Sequence, residues 1–203
     1  MSGPTVHVAT DATELTDGHR TIGGAAIRAA VDSIIEQLAA EGVGPADHLS
    51  FHCEPNLSSA LLWLALLQAG YSACVSAADS RVRALEPPPF CRLRVRAQWD
   101  GPRVRVEECG GWNGARVQGE PRMIFHTSGS TGSARLAAHA VARLWRNAAN
   151  CVERLGLRAG DRLVIPVPIY HMYGLGAAFL PGALVGASME IQAASSVLRF
   201  TER

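Results

Sequence analysis

Apolar residues recur along this chain in two periods, and the changes between them mark its elements. From Thr21 to Ala40, Ile22, Ile27, Val31, Ile34, Ile35 and Leu38 repeat at helical spacing, and Gly42 and Gly44 end the helix this predicts. Leu49 to Cys53 reads as a buried strand. Asn56 to Gln68 is apolar nearly all round, which predicts a helix buried on most sides. Gly70 stops it, and Tyr71 to Ser76 is the next strand. Strand, helix and strand in that order predict a right-handed parallel crossover unit. A short strand is also expected from Thr5 to Ala9.

Glu86-Pro-Pro-Pro-Phe90 breaks regular structure. After it, Leu93, Val95 and Ala97 alternate with Arg92, Arg94 and Arg96, and beyond Asp100-Gly101, Val104 and Val106 alternate with Arg103 and Arg105. This predicts a hairpin with one basic, solvated face. It lacks the interleaved aromatics of a base-stacking platform, with only Trp99 nearby. Residues 108–120 read as loop. Met123, Ile124 and Phe125 predict a short buried strand. Val141, Leu144, Trp145, Ala148, Cys151, Val152 and Leu155 then form a helical stripe closed by Gly156. Gly156-Leu-Arg-Ala-Gly-Asp161-Arg-Leu echoes Gly42-Val-Gly-Pro-Ala-Asp47-His-Leu, each between a helix and an apolar strand, so the helix, turn and strand unit is built twice. Gly174 to Val185 is helical with a kink at Pro181, and Met189 to Gln192 is one more strand. The fold class expected is α/β, a parallel or mixed sheet flanked by helices. Its parts are an opening helix and strand unit (1–85), a Pro-rich boundary with basic hairpin and loop (86–120), and a unit built around a polar loop (121–203).

Composition narrows the function classes. With 48% hydrophobic and 18% charged residues in 203, the chain is globular and not disordered. A formal charge of +1 gives no reason to expect nucleic acid or an anionic membrane as partner. The longest apolar run, Ala60 to Leu67, is far short of the ~20 residues of a membrane span. Five scattered cysteines without a Cys-x-x-Cys pair, and no secretory leader pattern, fit a reducing cytoplasm. No metal-ligand cluster stands out.

The chemistry concentrates after Phe125. Thr127, Ser128, Gly129, Ser130, Thr131, Gly132 and Ser133 offer only hydroxyls and glycines, and Arg135 follows as a cation. Glycines let the backbone approach a ligand closely, and successive N–H groups can form an anion-binding nest. The Walker pattern Gly-x-x-x-x-Gly-Lys-Ser/Thr fits no register here. A second unusual segment, Pro166-Val-Pro-Ile-Tyr-His-Met-Tyr-Gly174, follows.

Thr127-Ser-Gly-Ser-Thr-Gly132 with Pro168-x-x-His171-x-x-Gly174 resembles the adenylate-forming superfamily of acyl- and aryl-CoA synthetases, luciferases and peptide-synthetase adenylation domains. The resemblance covers the first half of the large domain of such an enzyme. It implies ATP-dependent, magnesium-assisted activation of a small-molecule carboxylic acid, by attack of its carboxylate on the α-phosphate, and transfer to coenzyme A or a carrier-protein phosphopantetheine. It assigns phosphate binding to Thr127, Ser128, Gly129, Ser130, Thr131, Gly132 and Arg135. Tyr170, His171, Met172 and Gly174 become the acyl pocket, with His171 orienting the carboxylate, while His126 and His139 are structural. Met172 stands where amino-acid-activating members carry an Asp, which favours an uncharged acyl or aryl acid.

Ala134 and Arg135 replace the usual Pro-Lys, and an arginine fork is not a lysine point charge. Gly-Tyr-Gly-x-Thr-Glu, Thr-Gly-Asp and a catalytic lysine of the lid do not occur in these residues. The expectation is therefore an N-terminal portion that is catalytically incomplete alone and needs its missing half, from a longer gene product or a complementary C-terminal subunit. The alternative is a non-catalytic binding or interaction protein that retains part of the fold. On the first reading, Leu175, Phe179, Leu180, Leu184, Val185 and Ile191 should leave an uncovered apolar patch.

Overall fold

The computed structural model describes residues 13–77, 86–99, 102–127 and 135–192. The strand expected at Thr5 to Ala9 and the turn at Asp100-Gly101 lie outside the described residues. In chain order the elements are β1 (Glu14–Thr16), β2 (Thr21–Gly23), α1 (Gly24–Ala40), β3 (His48–Cys53), α2 (Leu57–Gln68), β4 (Ser72–Ala77), β5 (Leu93–Trp99), β6 (Pro102–Glu108), β7 (Arg122–His126), β8 (Leu136–Ala140), α3 (Val141–Leu155) and β9 (Arg162–Ile165). Then come α4 (Met172–Gly174), a π-helical turn (Leu175–Phe179), α5 (Leu180–Val185) and β10 (Ser188–Ile191).

There are two sheets where the pattern suggested one. The larger runs β6-β5-β3-β4-β7-β8, with β5, β3, β4 and β7 parallel and the two edges antiparallel. β3, α2 and β4 make the expected parallel crossover. The smaller runs β2-β1-β10-β9 and joins opposite ends of the chain, with Leu15 beside Met189 in a parallel pair. One apolar cluster, from Leu15 and Ile27 through Trp63 and Phe125 to Phe179 and Ile191, connects the two. At its centre Trp63 of α2 meets Phe51 edge-on at 5.3 Å and stacks on Phe125 at 6.1 Å. Every residue of α2 from Leu57 to Leu67 is buried, as its all-round apolar pattern requires.

Polar groups hold the turns. Asn56 Oδ1 accepts from Ser59 N–H at 2.9 Å and caps α2. Asp17, in the β1–β2 turn, accepts from the N–H groups of His19, Arg20 and Leu57, tying that turn to the start of α2. Burial alone would raise its pKa, but the three backbone donors, with the nearby His19, outweigh it and leave the carboxyl below its usual range. Gly156 closes α3 in the left-handed region, φ 66°.

The expected uncovered patch does not form. Leu175, Phe179, Leu180 and Ile191 are all fully buried, Leu184 is half-buried against the same core, and Val185 is half-buried. Cover comes from within the chain, because α3 packs along the π turn and α5, and β1 pairs with β10. The helix changes character at Pro181. This proline lacks an N–H for the carbonyl four residues back, and the chain takes the wider π turn just before it.

Candidate functional site

The polar loop is held at its neck. Met123, Ile124 and Phe125 are buried in β7, and β8 returns antiparallel to it with His126 opposite Leu136. Thr127 N–H and Thr127 Oγ1 both donate to the Arg135 carbonyl, at 2.8 and 3.1 Å. The ends of the loop therefore meet in one residue pair, and the Thr127 hydroxyl proton already serves that closure. Ser128, Gly129, Ser130, Thr131 and Gly132 lie outside the described residues. The Arg135 side chain is exposed, with no ion-pair partner among the described residues. β8 itself was not expected. His139 on it meets Phe125 edge-on at 5.9 Å, a packing contact.

The Pro168 to Gly174 spacing has a structural cause. His171 N–H donates to the Pro168 carbonyl at 3.0 Å, closing a four-residue turn, and the His171 carbonyl accepts from Leu175 N–H at 2.9 Å to begin the helix. His171 is thus the N-cap residue, extended at φ −92° and ψ 140°, and its side chain makes no capping bond. Its ring is exposed and tilted against Tyr170 at 4.7 Å. Met172 is half-buried against the core and Tyr173 is 74% exposed. Gly174 packs under the turn so tightly that a Cβ would meet the Val167 carbonyl and come within 2.6 Å of the Pro168 carbonyl. Proline opens the turn, histidine stands at the N-cap position, and glycine lets the helix fit beneath.

Thr127 follows the carboxyl end of β7 in the larger sheet, and His171 follows the carboxyl end of β9 in the smaller one. Ligands of α/β folds bind outside such strand ends. Among the described residues no hydrogen bond, ion pair or ring contact joins Thr127 or Arg135 to His171 or Met172. The two halves are linked through α3, which runs from β8 to the turn before β9. From α3, Asn147 Nδ2 donates to the Gly176 carbonyl in the π turn at 2.9 Å, and Cys151 Sγ donates to the same carbonyl at 3.7 Å. Sequence reasoning passed over Asn147. Its signal was an amide one turn from the apolar stripe of α3. No group of three His, Cys, Asp or Glu among the described residues is arranged to hold a metal ion, and no described helix is long and apolar enough to cross a membrane.

Residues 100–200 match the family of AMP-binding enzymes. The chain belongs to the adenylate-forming superfamily. Over 64 residues it is 38% identical to YngI of Bacillus subtilis, a protein carrying the name of an acyl-CoA synthetase, covering 32% of this chain and 12% of that protein. Its fold matches O-succinylbenzoate coenzyme A synthetase (MenE) of Bacillus subtilis in complex with AMP, with a TM-score of 0.73 and 18% identity over 95% of this chain and 55% of that one. ATP-bound MatB of Rhodopseudomonas palustris gives a TM-score of 0.71 and 19% identity over 95% of this chain and 44% of that one. The chain thus spans about half the length of these solved structures, and its two sheets are those of the N-terminal part of the adenylate-forming large domain.

Proposed function

We propose that these residues supply the phosphate clamp and acyl-pocket wall of an ATP-dependent ligase that activates a small-molecule carboxylic acid and passes it to the thiol of coenzyme A or of a carrier protein. The observation that carries this reading is the pinned neck of the loop. Thr127 and Arg135 are bonded to each other at a strand end, which brackets the hydroxyl and glycine residues of the sequence between them, and the exposed Arg135 guanidinium has no ion-pair partner among the described residues. That donor set suits the phosphates of ATP, which the MatB structure holds. Arg135 would balance charge on the departing phosphates, and backbone N–H groups from Ser128 to Gly132 would bind their oxygens. His171, free of capping duty and exposed, would orient the substrate carboxylate, with Tyr170, Met172 and Gly174 forming the wall beside it. Magnesium would arrive with the nucleotide, since the described residues present no cluster of carboxylates for it.

Nucleotide binding tests this directly. Calorimetry with ATP and magnesium should show saturable binding that Gly132→Val abolishes while leaving the melting temperature unchanged. Equal affinity in the variant would mean that the loop holds no phosphate. The 203 residues alone should release no pyrophosphate in response to fatty or aryl acids, because the ribose-binding Asp and lid lysine of the family are not among them. Robust acid-dependent release would overturn the reading of an incomplete catalyst.

One observation favours a second reading, a nucleotide- or acyl-binding protein that does not complete the reaction. Leu175, Phe179, Leu180 and Ile191 are buried within these residues, so this part of the core closes without a complementary half. Light scattering separates the readings: association with a C-terminal partner supports the ligase portion, and a stable monomer that binds ATP and no such partner supports the binding protein.

A further inference from the structure

The larger sheet carries a row of donors that the proposed nucleotide site does not use. His52 registers with Ser76, and Val75 with Phe125, so His52, Ser76 and His126 stand side by side at the carboxyl ends of β3, β4 and β7. Cys74 and Ser76, two apart on β4, face the same way. His126 Nε2 lies 3.7 Å from Cys74 Sγ and His52 Nδ1 lies 3.5 Å from Ser76 Oγ, which puts both imidazoles on that face.

Arg94 joins them from β5, since Ser50 registers with both Cys74 and Arg94, and Arg96 follows two residues on. Both arginines act on His52: with burial the larger cause, their charges hold its proton affinity down. Among the described residues neither guanidinium has a hydrogen-bond or ion-pair partner, although Arg94 is half-buried. Glu107, opposite Arg94 in register, is drawn to Arg105 at 2.7 Å instead. A partly buried cation without a partner is costly. Basic alternation along one hairpin explains the two arginines, but not imidazoles and a hydroxyl from three other strands at the same level.

We infer that Arg94, Arg96, His52, Ser76 and His126 form a second oxyanion site, separate from the loop of residues 127–135, that takes a phosphoryl group. Donors from four adjacent strands, the outer two about 14 Å apart and the arginines long enough to reach inward, suit an anion with several oxygens in a tetrahedral array. A planar carboxylate is satisfied by one guanidinium fork. The site stands independently of the proposed ligase function.

Inorganic phosphate titrated into the full chain at constant pH and ionic strength, with histidine ring resonances followed by NMR, tests it. The His52 and His126 signals should move together along one saturating curve. Arg94→Gln should weaken that affinity about tenfold, Arg94→Lys less, and Gly132→Val not at all. Phenyl phosphate alongside distinguishes a free ion from a phosphate carried on an organic molecule, and tighter binding of either supports the site. No saturable shift at the two histidines in the unaltered chain overturns it. So does a curve that survives both Arg94→Gln and Arg96→Gln, or one that Gly132→Val removes.

Discussion

Asp47 and Asp161 close the same turn at the entrance to the two sheets. Asp47 Oδ2 accepts from Gly44 N–H at 2.9 Å, and Asp161 Oδ2 accepts from Arg158 N–H at 2.7 Å. In each, the aspartate N–H returns a bond of 3.0 Å to the carbonyl three residues back. Their surroundings differ. Asp47 is 1% exposed and also pairs with Arg92 at 2.6 Å and with Arg116, which lies over the Trp112 ring, while Asp161 is exposed.

Equal mutations should therefore have unequal effects. Asp47→Ala should cost about 2–4 kcal/mol, because it strips two guanidiniums and the Gly44 N–H of a buried acceptor; the partial exposure of those donors keeps the loss below that of a fully buried pair. Asp161→Ala should cost about 1 kcal/mol. Urea denaturation of the two variants decides it, and similar losses would refute a distinct role for the Asp47 cluster in stapling residues 108–120 to the sheet.

Gly174→Ala should destabilise the chain by about 1–3 kcal/mol, the usual cost of overpacking, because the added Cβ would meet the backbone carbonyls of Val167 and Pro168, which are not the far end of a flexible side chain. Gly160→Ala is the control, since nothing lies within 4 Å of a Cβ there. Thermal melts of the pair should separate clearly; matched melting temperatures would show that the His171 turn shifts freely.

Asn147→Ala should loosen the π turn selectively. The lost bond to the Gly176 carbonyl is worth about 1 kcal/mol in global stability. Hydrogen exchange at residues 175–179 should accelerate more than at β3 or β4. Uniform acceleration would mean that Asn147 supports only the fold as a whole.

Acid should weaken the protein near neutrality. Burial lowers the proton affinity of His48, His52 and His126; Asp47 partly opposes this at His48, and Arg96 and Arg94 reinforce it at His52. The unfolded chain then binds more protons than the folded one, so this contribution is complete above about pH 6.5 and is lost as pH falls toward the folded-state values. The urea midpoint should be lower at about pH 5.5 than at about pH 7.5, and the double variant His52→Gln, His126→Gln should flatten that slope. An unchanged slope in the variant would assign the dependence to other groups.

The periodic helices were readable because their signal is local. The stripe of α1, the all-round apolar run of α2 and the Gly156 stop of α3 each lie within one or two turns of chain, and each forms the element expected. The paired aspartate turns and the Pro168 to Gly174 spacing were readable for the same reason. β8 was not: Leu136-Ala-Ala-His-Ala has neither β-branched residues nor clear alternation, and it becomes a strand because β7 offers it a ladder. The hydroxyl and glycine residues after Phe125 stood out by composition, while the bond closing their neck depends on β8 and could not.

By itself the sequence determined the α/β class, the crossover unit and the family resemblance, since all of these rest on short-range pattern. Tertiary structure decided the split into two sheets, the pairing of Leu15 with Met189, the burial of the presumed patch at Leu175 to Ile191 and the row from Arg94 to His126. Each depends on strand registers between segments far apart in the chain, and a register is set by which faces the whole core can bury at once.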